Sequence, residues 1–319
     1  MAEPAAIEPP VFARVAIVGL GLIGASMALA ARRGGRVGEV VAYDASDAVR
    51  ARVAELGLAD RVAETPAEAV RDADHVVLCV PVGAIGTVAA DIAPHLAPGA
   101  VVSDVGSVKG SVVAAVTPHL PAGVSFVPAH PVAGTEFSGP DAGFAALFEN
   151  RWCILTPCDA STEDAVARVR ALWESFGAKV DTMTPHHHDL VLAITSHVPH
   201  LIAYNIVGTA ADLETVTDSE VIKFSAGGFR DFTRIAASDP TMWRDVFLNN
   251  RDAVLEMLGR FLEDLSALQR MVRFGDGDGL FDLFTRTRAI RRSIVAVGQE
   301  TAAADFGRPG APTPKEPGA

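Results

Sequence analysis

Cysteine is scarce in this chain: three thiols, Cys79, Cys153 and Cys158, in 319 residues. An odd count without metal-site spacing argues against a disulfide framework or a structural zinc site and points to reduced thiols in the cytoplasm. All three lie in or beside apolar strand-like runs, so they are expected to pack as small hydrophobes. Basic charge is also in deficit, with 27 Lys and Arg against 39 Asp and Glu and a net charge of −12. No basic stripe is present, which argues against a nucleic-acid partner. An anionic ligand would have to be held by a few local cations against that overall field. No apolar run reaches the roughly 20 residues of a bilayer span. The start, "MAEPAAIEPPVF", has neither the basic head nor the apolar core of a secretory signal, so no membrane partner is expected.

What remains is the composition of a folded protein, 49% hydrophobic and 21% charged, long enough for two cores. The first half alternates β-branched apolar runs with helical segments. The runs are 13–19, 39–44, 75–81, 100–106, 125–130 and 153–157; the helices are expected at 22–33, 46–56, 84–93, 109–118 and 163–176. Near-continuous apolar strands indicate a parallel sheet covered on both faces, hence an α/β, doubly wound Rossmann-type domain. After "KVDTMTP" (179–185) the strand signals stop, and helices are expected at about 187–210, 212–223, 241–270 and 277–297. The expected organisation is therefore a flexible N-terminus (1–12), a nucleotide-binding domain (13–185), an all-helical C-terminal domain (186–297) and a disordered tail (298–319) rich in Pro, Gly and Ala. Apolar helical faces of that extent suggest completion of the core against a second copy, a homodimer.

One motif names a cofactor. Gly19-Leu20-Gly21-Leu22-Ile23-Gly24 follows a strand and opens a helix. The glycines permit the tight turn, the close approach of a pyrophosphate and close helix–sheet packing, while the helix N-terminus offers free N–H groups. Asp44 ends the next strand, 20 residues beyond Gly24, where a carboxylate hydrogen-bonds ribose hydroxyls and repels a 2′-phosphate. NAD rather than NADP is expected. Arg50 and Arg52 are read as lying on a solvated helix face. Val80, Pro81 and Val82, at the end of another strand, should line the nicotinamide side.

Two further strand ends should meet the same crevice. Ser107, in "SDVGSVKG", could line the nicotinamide or orient an imidazole; His130, in "VPAHPVAGTEFSGP", suits a general base because imidazole titrates near neutrality. Thr135 and Glu136 follow in a Gly-containing loop that could gate the site. In the helical half, Arg234 lies between Thr233 and Ile235, either paired with Asp231 or holding a substrate carboxylate in a fork geometry. His197 and His200, three apart, share a helical face in "TSHVPH". Pro199 between them removes the N–H that would bond the Thr195 carbonyl, at roughly 3 kcal/mol in a regular helix. The two imidazoles are read as polar contacts for substrate rather than metal ligands, since helical zinc pairs use i, i+4 spacing with an acid. "HHH" at 186–188 is read as the helix entry, with Asp189 suiting the helix dipole.

The run of motifs "GLGLIG", "DVGSVK", "HPVAGTEFSGP", "ILTP", "HHHDLVLAITSHVPH" and "GGFRDFTRIAASDPTMWRDVFLNN", spanning roughly residues 14 to 270, resembles the prephenate/arogenate dehydrogenases, the cyclohexadienyl dehydrogenases of tyrosine biosynthesis. The resemblance implies NAD-dependent oxidative decarboxylation of prephenate or arogenate by a Rossmann domain followed by a helical dimerisation domain. It implies that His130 bonds the ring hydroxyl and Ser107 supports it beside the nicotinamide. It likewise assigns Arg234 to a substrate carboxylate, His197 and His200 to the pocket, and Thr135 and Glu136 to the loop above it. Two rival readings are a β-hydroxyacid-type dehydrogenase and a non-catalytic NAD-binding regulator. The former uses a lysine or other acid on the helical domain, and no lysine occurs between Lys179 and Lys223.

Overall fold

A computed structural model describes residues 9–135, 137–214 and 226–296. Helix 212–223 is described only as far as Glu214. Most of the N-terminal lead, Glu136 and the tail 298–319 also lie outside the described residues. The chain divides into two compact units, Met1–Leu258 and Gly259–Ala319, and every site residue discussed below belongs to the first.

The first unit is built on one eight-stranded sheet of order β3-β2-β1-β4-β5-β6-β7-β8. Its strands are β1 (Phe12–Val18), β2 (Val37–Tyr43), β3 (Arg61–Val62), β4 (His75–Leu78), β5 (Val101–Asp104), β6 (Ser125–Pro131), β7 (Trp152–Leu155) and β8 (Lys179–Thr182). Helices α1 (Leu22–Gly34), α2 (Asp47–Glu55), α3 (Pro66–Val70), α4 (Val82–Ile92), α5 (Gly110–Val116) and α6 (Glu163–Ser175) connect them. Successive strand residues go to opposite faces, as a two-residue repeat requires. Val15, Ile17, Val77, Val101 and Val127 enter one core with Met27, Phe148, Trp173 and Phe176. Ala16, Val18, Val76, Leu78, Val102 and Phe126 enter the other with Ile85, Ile92 and Val112. Both faces are dry, which is why these strands read as unbroken apolar runs.

Four expectations need correction. The pairing is not parallel throughout: β6 and β7 run antiparallel, with His130 opposite Ile154. The strand β8 was not foreseen, because as an edge strand it is mostly exposed and polar, KVDT. Strand β1 begins at Phe12, which is fully buried, so residue 12 belongs to the sheet and not to a flexible lead. Finally, Pro185–Leu213 is long and apolar enough to cross a bilayer by length and composition. Its buried Asp189, however, is bonded to the backbone of Lys109 and Gly110, which ties the start of this run to the start of α5. The cysteines are all free, as expected.

The long helix of the second half is not regular. Helix α7 (Pro185–Leu192) is capped by the Thr184 hydroxyl, which accepts from His187 N. It passes into a π turn, Ala193–His197, closed by Val198 N donating to Ala193 O, and then into α8 (Val198–Glu214). A proline at 199 cannot supply the next ladder hydrogen bond, and the widened turn just before it absorbs the mismatch. The expected helix 241–270 is two helices, Pro240–Asn249 and Arg251–Phe274, broken at Asn250. Short helical segments Gly227–Thr233 and Arg234–Ala237 precede them. In the second unit, Leu262, Leu265, Val272, Phe281, Phe284 and Ile290 are exposed on the single chain.

Candidate active site

Strand order reverses between β1 and β4, and the crevice of a doubly wound sheet lies where that happens. The two strand ends touch. Gly19 has φ +99°, and a Cβ on it would stand 2.6 Å from Cys79 O; one on Gly24 would stand 2.1 Å from Gly19 O. Both positions therefore demand glycine for packing. Gly21 differs, since a Cβ there would meet nothing within 4 Å. It is also the N-cap of α1, with no side-chain cap hydrogen bond. An uncapped helix N-terminus facing open space is the cradle a pyrophosphate needs. Asp44 stands beside it, its carboxylate accepting from Leu20 N at 2.9 Å and Ser46 N at 2.9 Å. The residues present thus fit a dinucleotide. Val80 and Val82 are half-buried and Pro81 exposed at the end of β4. Arg50 is not on a solvated face: its guanidinium donates to Asp44 O at 2.9 Å, lies over the Tyr43 ring and is 14% exposed. Arg52 does face outward, paired with Asp141 and Glu55.

His130 sits in β6, buried at 7% exposure. Its Nδ1 lies 2.8 Å from His188 Nε2. His188, fully buried, places its own Nδ1 2.8 Å from Asp189 Oδ1. Asp189 also accepts from Lys109 N and Gly110 N at 2.8 Å each, at the start of α5. The Lys109 ammonium is buried, held by the Asp104 carboxylate at 2.5 Å and Ala129 O at 2.7 Å. Ser107, half-buried, lies in the loop between these two groups.

A second strand of contacts leads away from Asp189. Its carbonyl accepts from Asn250 Nδ2 at 2.9 Å, and the same amide lies 3.0 Å from His197 Nδ1. His197 Nε2 stands beside the Ser107 backbone without completing a well-formed hydrogen bond. Trp243 is edge-on to His197 and stacked on His200, with ring centroids 3.6 Å apart. His200 donates from Nδ1 to Ser196 O at 2.8 Å. Val108, Trp243 and Val246 form a small core beneath, with Val82 against it. Arg234, half-buried, acts electrostatically on His200.

Burial governs the charges here. It pushes His130, His188 and His200 below the ordinary imidazole value, and His197 down to about 4, so all four are neutral near pH 7. His188 is lowered despite its carboxylate neighbour. Burial alone would raise Asp189, but the His188 imidazole and the two backbone N–H groups outweigh it and keep the carboxyl below its usual value.

Of the residues expected from sequence, His197 acts electrostatically on His130, lies by the Ser107 backbone and neighbours His200, on which Arg234 acts in turn. Thr135 turns its hydroxyl to its own loop, accepting from Phe137 N at 3.2 Å, and Glu136 lies outside the described residues. His188, Asp189, Asn250, Lys109 and Trp243 were not foreseen. Neither His188 nor Asp189 serves merely as helix entry or dipole partner: both point inward, to His130 and to α5.

The chain matches the family model described as "Prephenate dehydrogenase, nucleotide-binding domain" over residues 27–182, and that described as "Prephenate dehydrogenase, dimerization domain" over 184–286. It is 44% identical over 284 residues to a cyclohexadienyl dehydrogenase of Zymomonas mobilis, covering 89% of this chain and 97% of that protein. The crystal structure of prephenate dehydrogenase from Aquifex aeolicus with hydroxyphenyl propionate and NAD+ superposes with a TM-score of 0.83 at 33% identity, over 88% of this chain and 98% of that one. Arogenate dehydrogenase from Synechocystis gives 0.75 at 27% identity, over 88% and 99%.

Proposed function

This chain belongs to the prephenate dehydrogenase family, and on that premise we propose how its own residues carry out the reaction. The protein is an NAD-dependent oxidoreductase of tyrosine biosynthesis that oxidatively decarboxylates prephenate, arogenate or both. The substrate is a cyclohexadienol whose ring carbon opposite the hydroxyl bears a carboxylate.

Bound NAD supplies the acceptor for the hydride that leaves the hydroxyl-bearing carbon. Gly21, above the tightly packed Gly19 and Gly24, would approach its pyrophosphate, Asp44 would take the ribose hydroxyls, and Val80, Pro81, Val82 and Ser107 would flank the nicotinamide. His130, neutral because it is buried, accepts the hydroxyl proton at Nε2 while that carbon becomes a carbonyl. The C–CO2 bond opposite then breaks, and its electron pair passes through the ring to the same oxygen. The imidazolium returns the proton there, giving the phenol. The proton is borrowed, so one base suffices. Arg234 holds a substrate carboxylate, and His200 and His197, the latter fixed by Asn250, line the pocket with Ser107. Thr135 belongs to the loop that would lie over it.

The observation that carries this reading is the position of His130: a buried, neutral imidazole at a strand end, with one ring nitrogen bonded to His188 and the other free of that bond. His130→Asn should lower kcat by roughly 10²–10⁴-fold, the usual contribution of a general base, measured as prephenate-dependent NADH formation. An unchanged rate would remove the assignment. A homodimer fits the match of 184–286 to a dimerization domain, and we place its contact on the exposed apolar residues of Arg251–Phe274 and Gly277–Ala296. A cytoplasmic location accords with three free thiols.

A further inference from the structure

We infer that Asp189 and His188 act as positioning residues that hold His130 in the one tautomer able to take a proton from the substrate. The inference rests on the reading of His130 as the base, and it follows from counting donors. The backbone N–H groups of Lys109 and Gly110 can only donate, and both point at the Asp189 carboxylate at 2.8 Å. That carboxylate is ionised and can only accept. The third contact, from His188 Nδ1 at 2.8 Å, must therefore carry its hydrogen on the imidazole. A neutral His188 with hydrogen on Nδ1 has a bare Nε2, which can only accept. Its partner at 2.8 Å, His130 Nδ1, must then be N–H. A neutral His130 with hydrogen on Nδ1 presents a lone pair at Nε2.

The polarity cannot run the other way, because the two backbone donors pin its far end. Which ring nitrogen of a histidine bears hydrogen is set by the bond the other one makes, and a base in the wrong tautomer is inactive although its geometry is intact. The other charged or titratable groups bearing on His130 are Lys109 and His197. Lys109 is held by Asp104 and Ala129 O, and the His197 ring by Asn250. Neither competes for His130 Nδ1. When His130 takes the proton, no further transfer is needed: the new positive charge is two hydrogen bonds from the Asp189 carboxylate.

The test uses His188→Phe, which keeps the ring's bulk but cannot accept, and His188→Gln, whose side-chain carbonyl has similar reach and can accept the Nδ1–H. In protein labelled with ¹⁵N-histidine, the His130 resonances, identified by their loss in His130→Asn, should show a protonated Nδ1 and an unprotonated Nε2. His188→Phe should move His130 towards the Nε2–H form and lower kcat by about 10–100-fold, with KM for prephenate within about threefold. His188→Gln should recover at least tenfold of that loss. The inference is overturned if the unmodified protein shows His130 with hydrogen on Nε2, an outcome that needs no variant to fold. It is equally overturned if His188→Phe turns over at the normal rate, or if the Phe and Gln variants are equally slow. A slow His130→Asn beside a normal His188→Phe would sink the relay alone; a normal His130→Asn would sink the base itself.

Discussion

Acid should destabilise this protein well above the range in which its carboxylates protonate. His75, His130, His188 and His197 are all buried, and all four have folded-state pKa values below the ordinary 6.5. His75, held by Ser103 at 2.8 Å and stacked on Phe12, is pushed by burial to about 3, and His197 to about 4. Between those values and 6.5 the unfolded chain binds protons that the folded chain does not. The stability contributed by each group is therefore complete above pH 6.5 and is lost as pH falls towards its folded value. Each pH unit is worth about 1.4 kcal/mol per group. At pH 5, His75 and His197 have each cost about 2 kcal/mol, together about 4 kcal/mol. His130 and His188 add in the same direction. Asp189, with a pKa below 3.8, contributes only at lower pH. Against a total of roughly 5–15 kcal/mol, this loss is large. With a urea dependence of about 3 kcal/mol per molar or somewhat more, the midpoint should fall by about 1 M from pH 7 to pH 5, at fixed subunit concentration and without NAD. The double variant His75→Phe/Ser103→Ala should lose about 2 kcal/mol of that acid sensitivity. A midpoint unchanged or rising between pH 7 and pH 5 would refute the argument.

Other expectations are simpler to read. Gly21→Ala should fold with an unchanged Tm, since its Cβ meets nothing, yet bind NAD at least tenfold more weakly by titration. Gly24→Ala should lower the Tm as well, because its Cβ would collide with Gly19 O; equal behaviour of the two would contradict the cradle. Asp44→Asn should raise the ratio of kcat/KM for NADP over NAD by about 10–100-fold, the worth of a hydrogen bond to a charged group, aided by Arg50 close behind it. Arg234→Lys should raise KM for prephenate by about tenfold or more while leaving NAD affinity alone, as a point charge replaces a fork. An unchanged KM would detach Arg234 from the substrate.

Much of this was legible because the sheet is covered on both faces. Strands that bury every residue, such as His75–Leu78, announce themselves, and the glycine turn, Asp44, Ser107 and His130 all sit at strand ends. Edge strands do not: Arg61–Val62 is too short and Lys179–Thr182 too polar. The inward role of His188 was hidden by geometry. It precedes His197 by nine positions, about half a turn away on a regular helix, and the π turn at Ala193–His197 that alters this phase has no signal in the helical pattern. Asn250 was masked by an apparently continuous helical pattern, although the pair Asn249-Asn250 within it was a signal for a break. Asp189 looked like a dipole partner because its true partners, Lys109 N and Gly110 N, lie some 80 residues earlier.

The Asp189 carboxylate gathers three donors from two distant parts of the chain, and this bears on attempts to re-engineer the protein. A library randomising position 188 or 189 alone would mostly orphan a buried N–H, so poor yield would be mistaken for poor catalysis. Productive diversity at these positions has to be introduced jointly. Altered substrate preference is better sought around Thr135 and His200, where a change leaves that carboxylate's partners in place.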